Sequence, residues 1–467
     1  MKTKKINYVY KTEPYDHQKD VLEVSWAARY WALFLEMGTG KSKIICDTIG
    51  MLYERKEINA VLILAPKGVF DNWVKGEIPT HLPDRIERNV LRWTPSKTKA
   101  FQEKLRAITY EDSEDLKIFV MNIEAFSSAR GTKAAQTFLN SNPDNIVVVD
   151  ESTTIKNRKA ARTKNIVDLE ELSKYRRILT GSPVTKSPMD LFSQCLFLSP
   201  RALGFNSFFA FQGRYAMVQR RTMGHRSFQE IVGYRRLDEL NEKLLTFSSR
   251  ILKEDCLDLP PRIYVRREVE LTDEQAKLYT QMKRLALAQL NNGELATTSS
   301  VLTQIMRLQQ ICCGFLQPDE GPIEPLPNNR LSGLMSAIDE TQGKVIIWAS
   351  YTYDIQRITS ALRDRFGPEA VATYYGATPQ DERQDIIEKF QDVNSELRFF
   401  VGQPKTGGFG ITLHAASTMI YFSNSYDLEI RLQSESRAHR INQTKSVTYI
   451  DLVSPNTIDE KVLNALR

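Results

Sequence analysis

Cysteine and histidine are scarce in this chain, which has only five of each among its 467 residues. The five cysteines are Cys46, Cys195, Cys256, Cys312 and Cys313. Their odd number and the lack of a Cys-x-x-Cys spacing argue against a disulfide framework and against a zinc site. Such cysteine usage is typical of a reducing compartment.

Long apolar runs are missing as well. No stretch approaches the roughly 18–20 apolar residues that a membrane-spanning helix needs. The basic residues between Met1 and Ile6 are not followed by the apolar segment of a signal peptide. We therefore expect no membrane span and no signal peptide.

Charge of neither sign dominates, because 63 basic residues face 57 acidic ones and the net charge is +6. This balance permits nucleic-acid binding without demonstrating it. The hydrophobic content of 42% and the charged content of 26% are ordinary for a globular protein. A chain of this length has room for about two to four domains with well-filled cores.

A phosphate-binding loop is predicted at Gly38-Thr-Gly-Lys-Ser42. The apolar run at 31–35 is typical of a buried strand, and residues 43–53 have the spacing of an amphipathic helix. Glycines let backbone N–H groups approach the phosphates, and the N-terminus of the helix adds positive dipole. In such a loop Lys41 would reach the β- and γ-phosphates of ATP, and Ser42 would bind Mg²⁺.

A second phosphate-site element is predicted at Asn145-Ile-Val-Val-Val-Asp-Glu151. Its β-branched residues are typical of a buried parallel strand, and α/β folds bind ligands where such strands end. Asp150 would hold Mg²⁺ through water, and Glu151 would orient and polarise the attacking water. An acidic cap on the next helix is the simpler interpretation of an isolated Asp-Glu pair. Downstream of a phosphate loop, the functional interpretation is favoured.

A pair of arginines lies near the other end of the chain. Arg437 and Arg440 are three positions apart, so on a helix they would share one face. Alone, such a pair is more often a solvated face, but two arginines on one face also make a good phosphate clamp. Together with the distant phosphate loop, the pair indicates an ATP site shared between two lobes.

Three regions of the chain differ in pattern. Residues 1–198 alternate apolar strand runs with helical patterns, which predicts a parallel sheet covered by helices. Residues 199–330 lack a strong strand run before 263–265, and they end in an irregular, proline-containing linker. Residues 331–467 return to alternating strands and helices. The clearest predicted strands are 61–65, 116–121 and 146–149 in the first region and 345–348, 399–401, 419–422 and 447–450 in the third.

Eight segments of the chain follow one another in the order of a known motor. They are 15–18, 36–42, 62–73, 150–157, 179–183, 344–350, 407–411 and 433–443, for the glutamine motif and motifs I, Ia, II, III, IV, V and VI. Together they resemble the two-lobed motor of the Swi/Snf family, within helicase superfamily two. Residues 208–215 and 304–311 also resemble pieces of the helical insertions of that family.

The resemblance implies an α/β fold of two RecA-like lobes with parallel sheets covered by helices. The lobes would be residues 1–198 and 331–467, with helical insertions and a linker at 199–330 between them. It also implies ATP and Mg²⁺ as cofactors and DNA as partner.

Roles for single residues follow from the motifs and the resemblance. The expected catalytic residues are Lys41, Asp150, Glu151, Arg437 and Arg440. The expected nucleotide-binding residues are Gln18, Gly38, Thr39, Gly40, Lys41, Ser42 and Gly410. Ser42 and Asp150 are the expected Mg²⁺ ligands. The expected nucleic-acid contacts are Lys67, Trp73, Lys156 and Lys405.

Further basic residues cluster in the insertion, as Arg220-Arg221, His225-Arg226 and Arg235-Arg236. Phosphate contacts give affinity without sequence information, so little sequence preference is expected. For each single basic residue, a solvated surface position is at least as common as a contact.

One departure from the general phosphate-loop motif and two departures from the family pattern stand out. Leu35 occupies the position of the first glycine of the general loop motif, so Gly38 would supply the turn. Ser152-Thr153 replaces Ala-His in motif II, and Thr153 is expected to substitute because a hydroxyl both donates and accepts. Asn442 replaces a glycine in motif VI, a mild change because asparagine tolerates left-handed backbone.

We therefore expect an ATP-dependent DNA translocase that hydrolyses ATP at the interface of two lobes and moves along duplex or branched DNA. Fork remodelling, recombination and repair all fit this activity. A strand-separating DNA or RNA helicase is the alternative, because an unwinding wedge is not a short motif. The presence of Lys41, Asp150, Glu151, Arg437 and Arg440 argues against a non-catalytic clamp. A small-molecule kinase or GTPase would need neither the second lobe nor the motif VI arginines. The compact form favours a bacterial or phage protein in the cytosol or nucleoid of a bacterial host.

Overall fold

The computed structural model describes residues 8–67, 69–185, 187–223, 226–256, 259–291, 298–318, 321–379, 382–407, 411–440 and 443–466. The chain divides into two compact units, Met1–Leu257 and Asp258–Arg467. Each unit is built around its own parallel sheet. Among the described helices, none is long and apolar enough to cross a membrane.

The first unit alternates strands with helices. Its strands are β1 (Tyr30–Leu35), β2 (Ala60–Ala65), β3 (Arg88–Arg92), β4 (Leu116–Asn122), β5 (Asn145–Asp150), β6 (Tyr175–Leu179), β7 (Ala216–Met223), β8 (Arg226–Tyr234) and β9 (Ser248–Ile251). Its helices are α1 (Asp16–Ser25), α2 (Lys41–Glu54), α3 (Phe70–Asn72), α4 (Ile78–His81), α5 (Lys99–Tyr110), α6 (Ala129–Ser141), α7 (Ala161–Val167), α8 (Leu191–Leu198), α9 (Phe208–Tyr215), α10 (Leu237–Leu245) and α11 (Lys253–Cys256).

Seven of these strands form one sheet in the order β3-β4-β2-β5-β6-β1-β9. All of its strand pairs are parallel. Every residue of β2 and β5 is buried, because helices cover both faces of the sheet. The strands predicted at 61–65, 116–121 and 146–149 lie in β2, β4 and β5, which confirms them.

The second unit repeats the alternation. Its strands are β10 (Arg262–Glu268), β11 (Phe315–Leu316), β12 (Glu324–Pro325), β13 (Lys344–Trp348), β14 (Val371–Tyr374), β15 (Phe399–Gly402), β16 (Ala416–Tyr421) and β17 (Val447–Val453). Its helices are α12 (Asp273–Asn291), α13 (Thr298–Cys313), α14 (Arg330–Asp339), α15 (Thr352–Phe366), α16 (Glu382–Gln391), α17 (Pro404–Gly407), α18 (Leu428–Glu435) and α19 (Ile458–Ala465). Six strands form a parallel sheet in the order β10-β17-β16-β13-β15-β14.

The region between the predicted lobes is more varied than its sequence pattern. Residues 199–257 belong to the first unit and residues 258–330 to the second. In the first part, β7 and β8 form an antiparallel hairpin and β9 joins the edge of the large sheet. The hairpin strands are polar and β9 has four residues, so neither leaves an apolar run in the sequence. The finer division at 198 and 331 stays a prediction.

Arg330 ties the second unit together from inside. The residue is 1% exposed and begins α14. The guanidinium donates hydrogen bonds to the carbonyl oxygens of Phe422 and Leu452, both at 2.7 Å, and it pairs with the carboxylate of Asp459. Phe422 directly follows β16, Leu452 lies in β17 and Asp459 lies in α19. One cation therefore joins three elements.

We predict that Arg330→Met lowers the free energy of unfolding by about 3–5 kcal/mol, because Asp459 would stay buried without its counter-charge. Urea unfolding of the whole chain measures this loss. Arg365→Met is the matched control, because Arg365 pairs with Asp339 at 2.7 Å where both side chains are about half exposed. Its loss should be below about 1 kcal/mol. Equal losses in the two variants would contradict the role of Arg330.

Candidate active site

Three loops of the first unit meet at one edge of its sheet. In a parallel sheet all strands end on the same edge, and β6 lies between β5 and β1. Asp150 is paired with Leu179 of β6, and Leu179 is paired with Leu33 of β1. The phosphate loop, the Asp150-Glu151 pair and the loop after β6 therefore lie side by side at this edge.

The phosphate loop has the backbone that its glycines predict. Gly38 and Gly40 have φ of 84° and 88°, in the left-handed region that glycine adopts without strain. A Cβ on Gly40 would lie 2.0 Å from Nε2 of Gln18, so the space beside the loop exists only with glycine there. This open backbone ahead of α2 fits a phosphate group.

The first helix braces the loop. Nε2 of Gln18 donates to the carbonyl oxygen of Thr39 at 3.0 Å, and a ring nitrogen of His17 lies 2.9 Å from the same oxygen. Oε1 of Gln18 accepts from the N–H of Tyr15 at 3.0 Å. The hydroxyl of Thr39, which is fully buried, donates to the carbonyl oxygen of Glu36 at 2.7 Å. Gln18 thus holds the loop in this structure, and its reading of adenine stays a prediction.

Lys41 begins α2 at the carboxyl end of β1. Its Nζ donates to the carbonyl oxygen of Leu35 at 2.9 Å, so the ammonium group lies over the loop. Ser42 follows in the first turn of the same helix. Both residues are placed where the N-terminal dipole of α2 favours an anion.

A buried ion pair fixes the helix behind the loop. Lys43 and Asp47 are one turn apart on α2 and form a salt bridge with both side chains buried. Burial raises the pKa of Asp47 to about 6, although the nearby Lys43 opposes the shift. The ammonium of Lys43 also lies 5.0 Å from the centre of the Tyr10 ring. Lys43 therefore serves the packing of α2, whereas Lys41 faces the loop.

Asp150 ends β5 and is almost completely buried. Its Oδ1 accepts from the N–H of Glu151 at 2.9 Å. Glu151 has φ of 49° and ψ of 59°, a left-handed conformation that is uncommon outside glycine. Strained backbone of this kind is concentrated at functional sites. The turn makes Glu151 a strong candidate for a direct role.

Trp73 holds the other oxygen of Asp150. Its indole Nε1 donates to Oδ2 at 2.9 Å, and the ring is 0% exposed. Trp73 begins a π-helical turn that ends at Glu77, a distortion that is frequent at functional sites. The sequence predicted a nucleic-acid contact for Trp73, but in this structure its ring has no exposed surface. The sequence contained one signal for this contact: an indole N–H needs a hydrogen-bond acceptor when it is buried.

The substituted motif II makes a link of its own. The hydroxyl of Ser152 donates to Oε1 of Gln194 at 2.7 Å. Nε2 of Gln194 donates in turn to the carbonyl oxygen of Pro183, at 2.9 Å, in the loop after β6. Ser152 thus connects motif II to motif III, a contact that the sequence did not reveal. Thr153 is buried beside it, and its predicted substitution for histidine stays a prediction.

The basic residues predicted to contact nucleic acid have different surroundings. Lys67 follows β2 and is exposed, and Lys405 is exposed on α17 of the second unit. Lys156 is half-buried, and its Nζ donates to the hydroxyl of Thr185 at 2.6 Å. That hydroxyl also donates to Oδ2 of Asp190 at 2.9 Å. Lys67 and Lys405 therefore present their charges to solvent more fully than Lys156.

The spacing of the motif VI arginines predicted that they share one face of a helix. In the second unit, neither arginine lies on a helix. Helix α18 ends at Glu435, because the hydroxyl of Ser436 bonds back to the carbonyl oxygen of Gln433 and competes with the helical pattern. Arg437 and Arg440 lie in the turns that follow.

The two arginines nevertheless share one partner. Both guanidinium groups donate to the carbonyl oxygen of Ile411, at 3.2 Å from Arg437 and 3.4 Å from Arg440. Arg440 also donates to the hydroxyl of Thr412 at 2.6 Å. Motif VI is thus joined to motif V within the unit. Gly410, the predicted nucleotide contact in motif V, lies outside the described residues.

Arg431 is a structural residue of this region that the sequence did not reveal. It is buried on α18, and its guanidinium pairs with the carboxylates of Asp451 in β17 and Glu435 in α18. It also lies 3.5 Å from the centre of the Tyr421 ring. These contacts fix α18, and with it the start of motif VI, against the sheet.

Two family models match the chain. The model described as an SNF2-related domain matches residues 17–315, and the model described as a helicase conserved C-terminal domain matches residues 329–442. The chain belongs to the SNF2-related family. This membership confirms the predicted relationship to Swi/Snf motors and the class of superfamily-two ATPases with an α/β fold. The roles of single residues stay predictions.

Curated relatives and a solved structure are similar over most of the chain. It is 26% identical over 451 residues to "SWI/SNF chromatin-remodeling complex subunit snf22" of Schizosaccharomyces pombe, covering 92% of this chain and 26% of that protein. It is 26% identical over 432 residues to "Uncharacterized ATP-dependent helicase MG018" of Mycoplasma genitalium, covering 91% and 38%. A structure of the Sulfolobus solfataricus SWI2/SNF2 ATPase core in complex with dsDNA covers 99% of this chain and 92% of that one, with 23% identity and a TM-score of 0.44. The chain thus spans well under half of the length of the two curated relatives from Schizosaccharomyces pombe and Mycoplasma genitalium.

The hydrogen bond between Trp73 and Asp150 allows a test of Asp150 as the predicted Mg²⁺ ligand. Trp73→Phe removes the N–H donor and should raise the Mg²⁺ concentration for half-maximal ATP hydrolysis by about tenfold to a hundredfold, because a hydrogen bond to a charged group contributes about 1.5–3 kcal/mol. An Mg²⁺ titration of steady-state hydrolysis at saturating ATP measures the shift.

The matched control is Trp31→Phe. Nε1 of Trp31 donates to the hydroxyl of Ser249 at 3.0 Å, so this variant also loses an indole hydrogen bond in the first unit. Its Mg²⁺ requirement should stay that of the wild type. A similar shift in both variants, or none in Trp73→Phe, would show that Trp73 does not position Asp150 for the metal.

Proposed function

We propose that this chain is an ATP-dependent DNA translocase, which hydrolyses ATP with Mg²⁺ and moves along duplex or branched DNA with little sequence preference. The observation that carries the proposal is the single sheet edge where the phosphate loop, Asp150 and the strained Glu151 lie together. The chromatin-remodelling subunit and the ATP-dependent helicase among its relatives support an activity on DNA. A bacterial relative also favours action in the cytosol or nucleoid of a bacterial cell.

Nucleotide binding would fall to the loop ahead of α2. The N–H groups of residues 38–42 and the Nζ of Lys41 supply the donors that a triphosphate needs. Gly40 keeps the space beside Gln18 open. Ser42 and Asp150 have the oxygen atoms that Mg²⁺ prefers, and Mg²⁺ when bound neutralises charge on the phosphates.

Hydrolysis would fall to Glu151. Its carboxylate follows Asp150 directly, where it can orient and polarise the attacking water. Arg437 and Arg440 of the second unit would stabilise the charge that develops on the phosphates, in the manner of arginine fingers. Guanidinium groups suit this task because they bind phosphate through two parallel hydrogen bonds and never lose their charge.

We predict that Glu151→Gln keeps ATP binding and lowers hydrolysis by about two orders of magnitude or more, the scale of a lost general base. Binding of a fluorescent ATP analogue and steady-state phosphate release measure the two properties. Glu103→Gln, on the exposed face of α5, is the control and should leave both unchanged. Hydrolysis near the wild-type rate in Glu151→Gln would remove Glu151 from the mechanism.

Movement along DNA needs its own test. We predict that duplex or forked DNA stimulates hydrolysis, that high salt weakens the stimulation because counterion release becomes less favourable, and that the protein displaces a triplex-forming strand from intact duplex. Displacement is followed by the loss of a fluorescent third strand, with and without ATP. Glu151→Gln should not displace it.

The same assay distinguishes the proposed translocase from the alternative function of a helicase. Failure to displace the third strand, together with robust unwinding of a tailed duplex, would identify a strand-separating helicase. Stimulation by RNA alone would exclude DNA as the track.

A further inference from the structure

The hairpin of β7 and β8 is joined to the core of the first unit, against which Ala216, Ile231 and Tyr234 pack. Its strands pair in an antiparallel register from Ala216 opposite Tyr234 to Met223 opposite Arg226. Near its base Met217, Val218 and Val232 are 45%, 39% and 51% exposed. A two-stranded ribbon with little packing against a core is marginal on its own.

The base of the hairpin is firmly attached. Tyr215, just before β7, is completely buried, and its hydroxyl donates to Oε1 of Glu239 in α10 at 3.0 Å. The N–H of Arg235, just after β8, donates to the carbonyl oxygen of Tyr215 at 2.9 Å. The base of the ribbon is thus fixed to the unit.

Positive charge is concentrated in this ribbon. Residues 216–236 contain five arginines, at 220, 221, 226, 235 and 236, and one acidic residue, Glu230, so five minus one gives a net charge of +4. The whole chain has a net charge of +6. Most of the excess positive charge of the protein therefore lies in 21 consecutive residues, counted from 216 to 236.

The arrangement of these arginines favours an external partner. Arg220 and Arg221 are neighbours on β7 and exposed, so they point to opposite faces of the ribbon. Arg221 pairs with Glu230 across the strands. Arg236 is exposed, has φ of 56° and precedes the first turn of α10, where a positive charge is unfavourable for the helix dipole. Local stability does not explain an arginine at this position.

We propose that the hairpin strands β7 and β8, together with Arg235 and Arg236, form a DNA-binding arm that contacts the phosphate backbone of duplex DNA through residues other than those of the phosphate-loop edge. This inference rests on the proposed function in taking DNA as the partner. Charge complementarity selects the partner, since duplex DNA has one negative charge per about 1.7 Å of its axis. The width of a two-stranded ribbon also fits the major groove.

The test replaces Arg220, Arg221 and Arg236 by glutamine in the full chain. Affinity for a fluorescent duplex of random sequence is measured by anisotropy without ATP, over a series of salt concentrations. The variant should bind about tenfold or more weakly, and the slope of log affinity against log salt should fall by about 0.9 for each lost phosphate contact. Hydrolysis without DNA should stay unchanged.

The control replaces Lys99, Lys104 and Arg106 by glutamine. These three exposed cations of α5 lie in the same unit, and their substitution removes the same amount of positive charge. The control should bind DNA like the wild type. Equal binding by the hairpin variant and the wild type, equal losses in variant and control, or a loss confined to RNA would each overturn the proposal.

The measurements also separate this inference from the translocase proposal. Hairpin-dependent binding in a protein whose hydrolysis ignores DNA would support the arm and refute the translocase. Normal DNA-stimulated hydrolysis at an unchanged DNA requirement in the hairpin variant would refute the arm and leave the translocase standing.

Discussion

The parallel order of β5, β6 and β1 is the constraint on which the candidate site depends. Parallel strands end at one edge, so loops that are far apart in the sequence become neighbours there. Buried side chains on both faces fix the register, because a slip of one residue would move Asp150 to the opposite face of its strand. The same packing that stabilises the sheet therefore positions the chemistry.

A buried carboxylate at this edge imposes conditions on its neighbours. Removing an ionised group from water is unfavourable unless donors replace the lost hydrogen bonds. Asp150 receives one donor from the Trp73 indole and one from the N–H of Glu151. The left-handed turn at Glu151 costs on the order of 1–3 kcal/mol. The fold offsets this cost, and the result is a pair of carboxylates held at the end of one strand.

The sequence predicted the parts of the fold that carry a strong local signal. The buried strands are mostly apolar runs, and the glycines at 38 and 40 mark the phosphate loop, so the predictions of these elements were correct. The hairpin was missed because exposed polar strands have no apolar periodicity. The helix predicted across Arg437 and Arg440 was wrong, since spacing alone cannot show that a hydroxyl at Ser436 ends it. The partner of Trp73 is 77 positions away, beyond any local pattern.

Arginine shows why composition alone is a weak guide to function in this chain. Arg330 and Arg431 are buried. Their guanidinium groups pair with carboxylates inside the second unit, and that of Arg330 also donates to carbonyl oxygens there. Arg220 and Arg236 are exposed on and beside the hairpin of β7 and β8. The residue type is the same, but a buried charge is unavailable to a polyanion. The modest net charge of the chain therefore understates the positive electrostatic field at the hairpin. In residues 216–236 one acidic residue accompanies five arginines, whereas the buried arginines are paired with carboxylates.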